Sequence, residues 1–315
     1  MATLQTVTGP IDSADLGFTL MHEHILIANW SMRMAMPGWI DRKELIARAI
    51  VEVKSAKARG VRTIVDLTPV NLGRDIDVIR AVAEGAEMQI IAATGFYWTE
   101  EPFFQGWDVD QLVDFLRPDI EKGMQGTDAR AGIIKCATDH LGVTPLNEKL
   151  LRVAARLHRA TGVPISTHTS SRHRTGLAQQ KIFAEEGVDL SRIVIGHCGD
   201  TTDLDYLCEI LDQGSTIGMD RFGLDMLLPF ADRVSTIARL CRAGRTPGMV
   251  LSHDASCHID WFPRQAIAQL APRWNMRHIS DDVLPALRSE GVSEPQIDAL
   301  CVANPRRIFE RQGAY

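Results

Sequence analysis

RKELIARAIVEVKSAKARGVRTIVDLT, residues 42–68, reads as one unit: an amphipathic stretch (42–60), a glycine that stops it, and a short apolar run, RTIVDLT (62–68). A glycine closing a helical stretch is the usual C-cap, and a Val/Ile-rich run after it has strand character. NEKLLRVAARLHRATG (147–162) followed by VPISTHT (163–169) repeats the unit. Working outward, eight runs of this kind are predicted to be strands: 17–24, 62–68, 89–97, 131–136, 163–169, 192–198, 215–220 and 248–254. Several are continuous rather than alternating in polarity, as expected for parallel strands covered on both faces. Eight strands alternating with helices, and no GxGxxG after the first, predict an α/β chain folded as a (β/α)8 TIM barrel. No linker-like break in composition divides it, so 1–315 is expected to be one domain. The segment 282–309 reads as two terminal helices around a glycine-containing turn.

Composition narrows the partners. The chain of 315 residues is 45% hydrophobic and 23% charged, with a formal net charge of -6. Nothing basic is clustered enough for a nucleic-acid or anionic-membrane partner. The N-terminus lacks a basic n-region and an apolar h-region, and no run reaches the roughly 18 residues of a membrane span. Six cysteines (136, 198, 208, 241, 257 and 301) show no CxxC pairing. Reduced thiols in a cytoplasmic protein are expected.

Barrels of this class carry their chemistry at the C-terminal ends of the strands. Reading only those ends collects His22 and His24 from the first strand, Lys135 from the fourth and His168 from the fifth. His197 comes from the sixth and Asp254 from the eighth. In MHEH (21–24) the two histidines share a face by the two-residue strand period, with Glu23 on the other. Four of the chain's ten histidines fall in this set. Imidazole and carboxylate suit zinc, iron, cobalt or manganese, and six residues able to ligate a metal, Lys135 only once modified, suit two divalent metal ions rather than one. Lys135 either pairs with a carboxylate such as Asp139 or, with its pKa lowered by burial, takes up carbon dioxide as an N6-carboxylated bridging ligand.

MHEH, GIIKCATD (132–139), STHT (166–169), IGHCGD (195–200) and LSHD (251–254) resemble the phosphotriesterase family of the amidohydrolase superfamily, over essentially the whole chain. The resemblance implies one metal on His22, His24 and Asp254 and a second on His168 and His197. Carboxylated Lys135 and a hydroxide would bridge the two. TGFYW (94–98), MDRFGLD (219–225) and SHDASCHIDW (252–261) resemble its lactonase branch, which opens N-acyl homoserine lactones. That likeness implies that Tyr97 leans over the metals, that Arg221 holds the mouth loop, and that Cys257 and Trp261 shape the acyl-chain channel. It also implies a homodimer and a secondary phosphotriesterase activity on organophosphates, with primary phosphotriester hydrolysis as the alternative. A protein that only binds a ligand is the rival from another class.

The chain has no GxSxG elbow, so the expected nucleophile is the metal-bridging hydroxide, with Asp254 taking its proton. Two divalent ions against Asp254, a carbamate and a hydroxide leave roughly one positive charge, which suits a neutral substrate. Plain roles stay open for several residues. Tyr97 and Trp261 also fit rim aromatics, Arg221 an ion pair with Asp220 or Asp225, and Cys257 a small packing residue. His253 fits either a partner of a ligand or an ordinary core histidine. Asp200 fits either an imidazole-orienting residue or the cap of a helix beginning at Thr201.

Overall fold

A computed structural model describes residues 2–310 and 313–315. A short antiparallel hairpin, β1 (Thr3–Thr6) and β2 (Gly9–Asp12), comes first. The eight barrel strands follow: β3 (Phe18–Glu23), β4 (Val61–Asp66), β5 (Gln89–Gly95), β6 (Ile133–Ala137), β7 (Ile165–His168), β8 (Ile193–Ile195), β9 (Thr216–Met219) and β10 (Met249–Leu251). Each pairs in parallel with the next in chain order. The expected (β/α)8 TIM barrel is the fold observed.

Alternate apolar residues of six of the eight barrel strands divide between two cores. Val65, Ile91, Ala93, Ile133, Val194 and Val250 fill the barrel interior. Their neighbours Ile64, Ile90, Ala92, Ile134, Ile193 and Leu251 pack outward with residues of the surrounding helices. This double burial is why the strands read as unbroken apolar runs. At the N-terminal end, Leu4 and Leu16 join Ile308 and Phe309 of the last helix in the interior core. The hairpin was not foreseen.

The helix expected over 42–60 spans Arg42–Lys57 and turns Leu45, Ala49, Val53 and Ala56 inward, a spacing of roughly one turn. The one expected over 147–162 spans Pro145–Thr161 and ends on Gly162 in the left-handed conformation. The terminal segment forms Ile279–Ser289 and Glu294–Glu310 around Gly291, beginning slightly earlier than expected. Among the described residues no helix is long and apolar enough to cross a membrane.

Three departures from a regular barrel set up the mouth. In β3, Leu20 pairs with Ile64 and Glu23 with Asp66, so three steps on β3 match two on β4. This bulge leaves both Met21 and His22 inside the barrel while Glu23 faces out. Secondly, β8 and β10 stop at Ile195 and Leu251, short of the predicted 198 and 254, because the next residues turn out of the ladder. His197 (φ 60°) and Asp254 (φ 55°) adopt the left-handed conformation. Thirdly, the barrel seam between β10 and β3 is closed by Asp254 N–H to His22 O (2.9 Å), His24 N–H to Ala255 O (2.8 Å) and Cys257 N–H to His24 O (3.0 Å).

Gly95 of β5 lies against Lys135 of β6, and a Cβ there would stand 2.0 Å from the Lys135 carbonyl oxygen. The missing side chain lets the two strands close where Lys135 enters the mouth. Gly95→Ala is therefore expected to destabilise the protein by about 2 kcal/mol or more, visible as a lower Tm on thermal unfolding. An unchanged Tm would show that the two strands separate there without cost.

Candidate active site

The strand-end residues converge at the C-terminal mouth. His22 Nε2 lies 3.0 Å from Lys135 Nζ and 3.3 Å from Asp254 Oδ1. His24 Nε2 is 3.0 Å from the same oxygen. Across the mouth, His197 Nε2 faces His168 Nδ1 at 2.8 Å and Asp254 Oδ2 at 3.8 Å. The His22 and His197 rings stack, 4.8 Å between centroids. All four histidines and Lys135 are buried.

Each ring is held from behind through its other nitrogen. Asp220, buried at the end of the seventh barrel strand, accepts from His22 Nδ1 (2.8 Å), His197 Nδ1 (3.1 Å) and the His197 backbone N–H (2.7 Å). One carboxylate thus orients two rings and braces the left-handed backbone of His197. Thr68 contacts His24 Nδ1 at 2.8 Å and is itself held by Asp66, and Asp139 stands 3.2 Å from His168 Nε2. Far-side partners of this kind fix the tautomer and turn the remaining lone pair toward the mouth.

Electrostatics favour the neutral, ligating forms. Burial and the nearby Lys135 lower the His22 pKa to about 4. Burial lowers His168 despite its contact with Asp139, and burial with Arg221 drives His197 well down. Burial also lowers Lys135 to about 8, with Asp254 and Asp220 resisting. For Asp254 burial acts upward but is outweighed by His22, His197, His24 and Arg221, which hold it well below the usual carboxylate range.

His22, His24 and Asp254 bring one ligand atom each within 4.8 Å of one another. His197 Nε2 and His168 Nδ1, two ring nitrogens aimed at each other, need a proton or a cation between them. This donor set fits divalent transition-metal ions.

The other expected residues divide. Tyr97 Oη lies 3.5 Å from His168 Nδ1, and burial raises its pKa, so the hydroxyl keeps its proton. Arg221 pairs with neither Asp220 nor Asp225. It donates to Asp254 Oδ2 (3.0 Å) and Asp200 Oδ2 (3.0 Å). Asp200 neither orients an imidazole nor caps a helix, because it is taken up by Arg221 and the buried Arg233 (2.8 Å); Asp203 caps the helix that starts at Leu204. Lys135 does not pair with Asp139, which faces His168. Trp261 lines the mouth cavity of about 360 Å³, whereas Cys257 is turned away from it into a neighbouring hollow beside Arg48 and Glu52. That corrects the expectation that Cys257 lines the channel; its backbone is held in the β10–β3 seam, which points its side chain outward. His253 serves the core rather than a ligand ring. Its Nδ1 meets Glu23 at 2.6 Å, and its Nε2 accepts from Ile279 N–H.

Sequence reasoning passed over Asp220, Thr68, Glu23 and Arg233 as contributors. Asp220 alone carried a signal, since it ends the run STIGMD just as the histidines end theirs.

Fold and mouth together define a TIM barrel with a candidate metal-ligand cluster at the C-terminal ends of its strands. The chain matches the phosphotriesterase family over residues 2–309. It is 50% identical to the phosphotriesterase homology protein of Mycobacterium tuberculosis over the whole of both chains. The aryldialkylphosphatase of Saccharolobus solfataricus is 41% identical, over 95% of this chain and 96% of that one. The solved structure of the phosphotriesterase from M. tuberculosis superposes with a TM-score of 0.96, at 49% identity, covering 100% of each chain. The chain belongs to the phosphotriesterase family.

Lys135 gives the site a pH signature. Its folded pKa lies below its ordinary value, so between about 8 and the free-lysine value near 10.4 the unfolded chain binds more protons. Stability therefore rises with pH across that window. In metal-free protein kept free of carbon dioxide, the Tm difference between wild type and Lys135→Met should shift in favour of wild type from pH 8 to pH 10. A difference that stays constant would mean that Lys135 is not desolvated.

Proposed function

We propose that the protein is a metal-dependent hydrolase that opens lactones, N-acyl homoserine lactones or their relatives, and hydrolyses phosphotriesters secondarily. The observation carrying this reading is the mixed lining of the mouth cavity. His22, His24, Lys135, His168 and Asp254 line it from the ends of the strands, and Leu224, Met226, Leu227, Ile259, Phe262 and Leu270 line it from the segments after β9 and β10. A compact electrophile attached to a flexible hydrocarbon chain matches both.

In this reading His22, His24 and Asp254 hold one divalent cation and His168 and His197 another. Zinc is the first choice, with iron, cobalt and manganese as alternatives. Lys135 would join the same ligand set once its neutral amine had added to carbon dioxide with loss of a proton, since a carbamate would supply carboxylate-like oxygens there. Cations so held supply Lewis acidity and lower the pKa of water from 15.7 to about 7. Asp254, kept ionised and aimed by Arg221, accepts a proton and returns it to the departing alkoxide. The protonated Tyr97 hydroxyl donates a hydrogen bond to the lactone oxygen. Trp261 and its apolar neighbours seat the acyl chain, and Cys257 acts only through the loop it anchors. Small molecules are the only partners invoked besides a second copy of the chain, and the reading includes a cytoplasmic homodimer.

A primary phosphotriesterase is the second reading, favoured by the 41% identity to an aryldialkylphosphatase. The two are separated by measuring kcat/KM for N-acyl homoserine lactones of graded chain length against an aryl dialkyl phosphate. Lactones should lead, and a clear lead for the phosphate would overturn the choice. Asp254→Asn should lower kcat on lactones by about 10²-fold or more, and full turnover by that variant would remove Asp254 from the chemistry. Trp261→Ala should raise KM for long-chain lactones more than for short ones, and an equal effect on both would place the chain elsewhere.

A further inference from the structure

Asp254 sits at φ 55°, a conformation disfavoured for any residue bearing a Cβ. Three successive backbone N–H groups hold it there by facing β3. That of Asp254 donates to His22 O at 2.9 Å. Those on either side donate to the Glu23 carboxylate: His253 N–H to Oε1 at 3.0 Å and Ala255 N–H to Oε2 at 2.8 Å. Oε1 also accepts from Ser252 Oγ (2.8 Å) and His253 Nδ1 (2.6 Å). Ser252 Oγ in turn accepts from His22 N–H at 2.8 Å. Glu23 is fully buried. Backbone N–H groups converging on an anion form a nest, and here the anion belongs to the chain itself.

We propose that Glu23 is a positioning residue for Asp254. By accepting the N–H groups on both sides of it, the carboxylate locks the left-handed turn that aims the Asp254 side chain at His24 and Arg221. The two-residue strand period turns Glu23 away from the mouth that its neighbours His22 and His24 face, and the bulge in β3 sets the phase in which this happens. The middle residue of MHEH thus ties the first strand to the last. The inference rests on Asp254 being a ligand and proton acceptor, but the clamp itself needs no metal.

Glu23→Gln tests it. The amide oxygen can keep the His253 side, but the amide nitrogen then meets the Ala255 N–H, donor against donor. In metal-free protein the substitution should lower Tm. In an Asp254→Gly background, where glycine enters the left-handed region freely, the same substitution should cost less than half as much. Equal losses in both backgrounds would show a carboxylate that merely fills the seam, and would overturn the proposal. If Glu23→Gln does not fold, Glu23→Asp, which keeps the charge but withdraws it by one methylene, undergoes the same comparison.

Zinc titration by equilibrium dialysis gives the second readout. Wild type should hold two ions, and Glu23→Gln should lose affinity for one of them by about tenfold or more while keeping the other. Two ions held at wild-type affinity by the variant would also overturn the proposal. Wild type that holds no zinc would instead sink the functional reading and leave the metal-free comparison to decide the clamp.

Discussion

Four imidazoles, a carboxylate and an amine share a space a few ångströms across, and burial is what lets them coexist. In water the amine would be charged and would repel any cation held by the rings beside it. Inside the barrel, desolvation penalises the charged forms and brings His22 to about 4 and Lys135 to about 8. A buried neutral ring still needs its polar atoms satisfied; Asp220 and Thr68 meet that need from behind, and Asp139 stands 3.2 Å from His168 Nε2. What remains is a set of lone pairs directed at one another, an arrangement that favours a cation between them.

The bonding behind the rings extends into the loop that walls the cavity. Arg233, buried, donates to Gly199 O (2.7 Å), Leu228 O (3.0 Å) and Leu224 O (3.3 Å), and it pairs with Asp200. Asp200 in turn meets Arg221, which reaches Asp254. The apolar wall and the acidic residue are therefore fastened to one guanidinium–carboxylate chain. A shift of the loop is felt at Asp254 through groups that are costly to leave unpaired.

Much of this was legible from one sequence, for reasons that differ by feature. The eight strands announced themselves because double burial makes several of them unbroken apolar runs, and the six mouth residues followed from reading the C-terminal ends of those runs. The strand ends were overread to 198 and 254 because a left-handed turn at His197 or Asp254 leaves no glycine to mark it. The hairpin at Thr3–Asp12 was missed because its two four-residue strands, TLQT and GPID, have no apolar run to announce them. Asp220 stood at a strand end in plain view, but residue type alone cannot say whether a carboxylate lies in front of an imidazole or behind it. Cys257 was misjudged because loops have no period from which side-chain direction can be read.

The bulge in β3 means that the HxH triplet is not a portable cassette. Grafted into a regular strand of another barrel, the same three residues would keep their spacing but sit one step out of phase with the flanking apolar positions. Either the two rings would be buried among the helices, or the residue before them would lose its place in the interior. A designer who transplants this histidine-bearing edge therefore has to move the extra residue and the facing segment of the last strand with it, because what is inherited is a phase shift together with the carboxylate that exploits it.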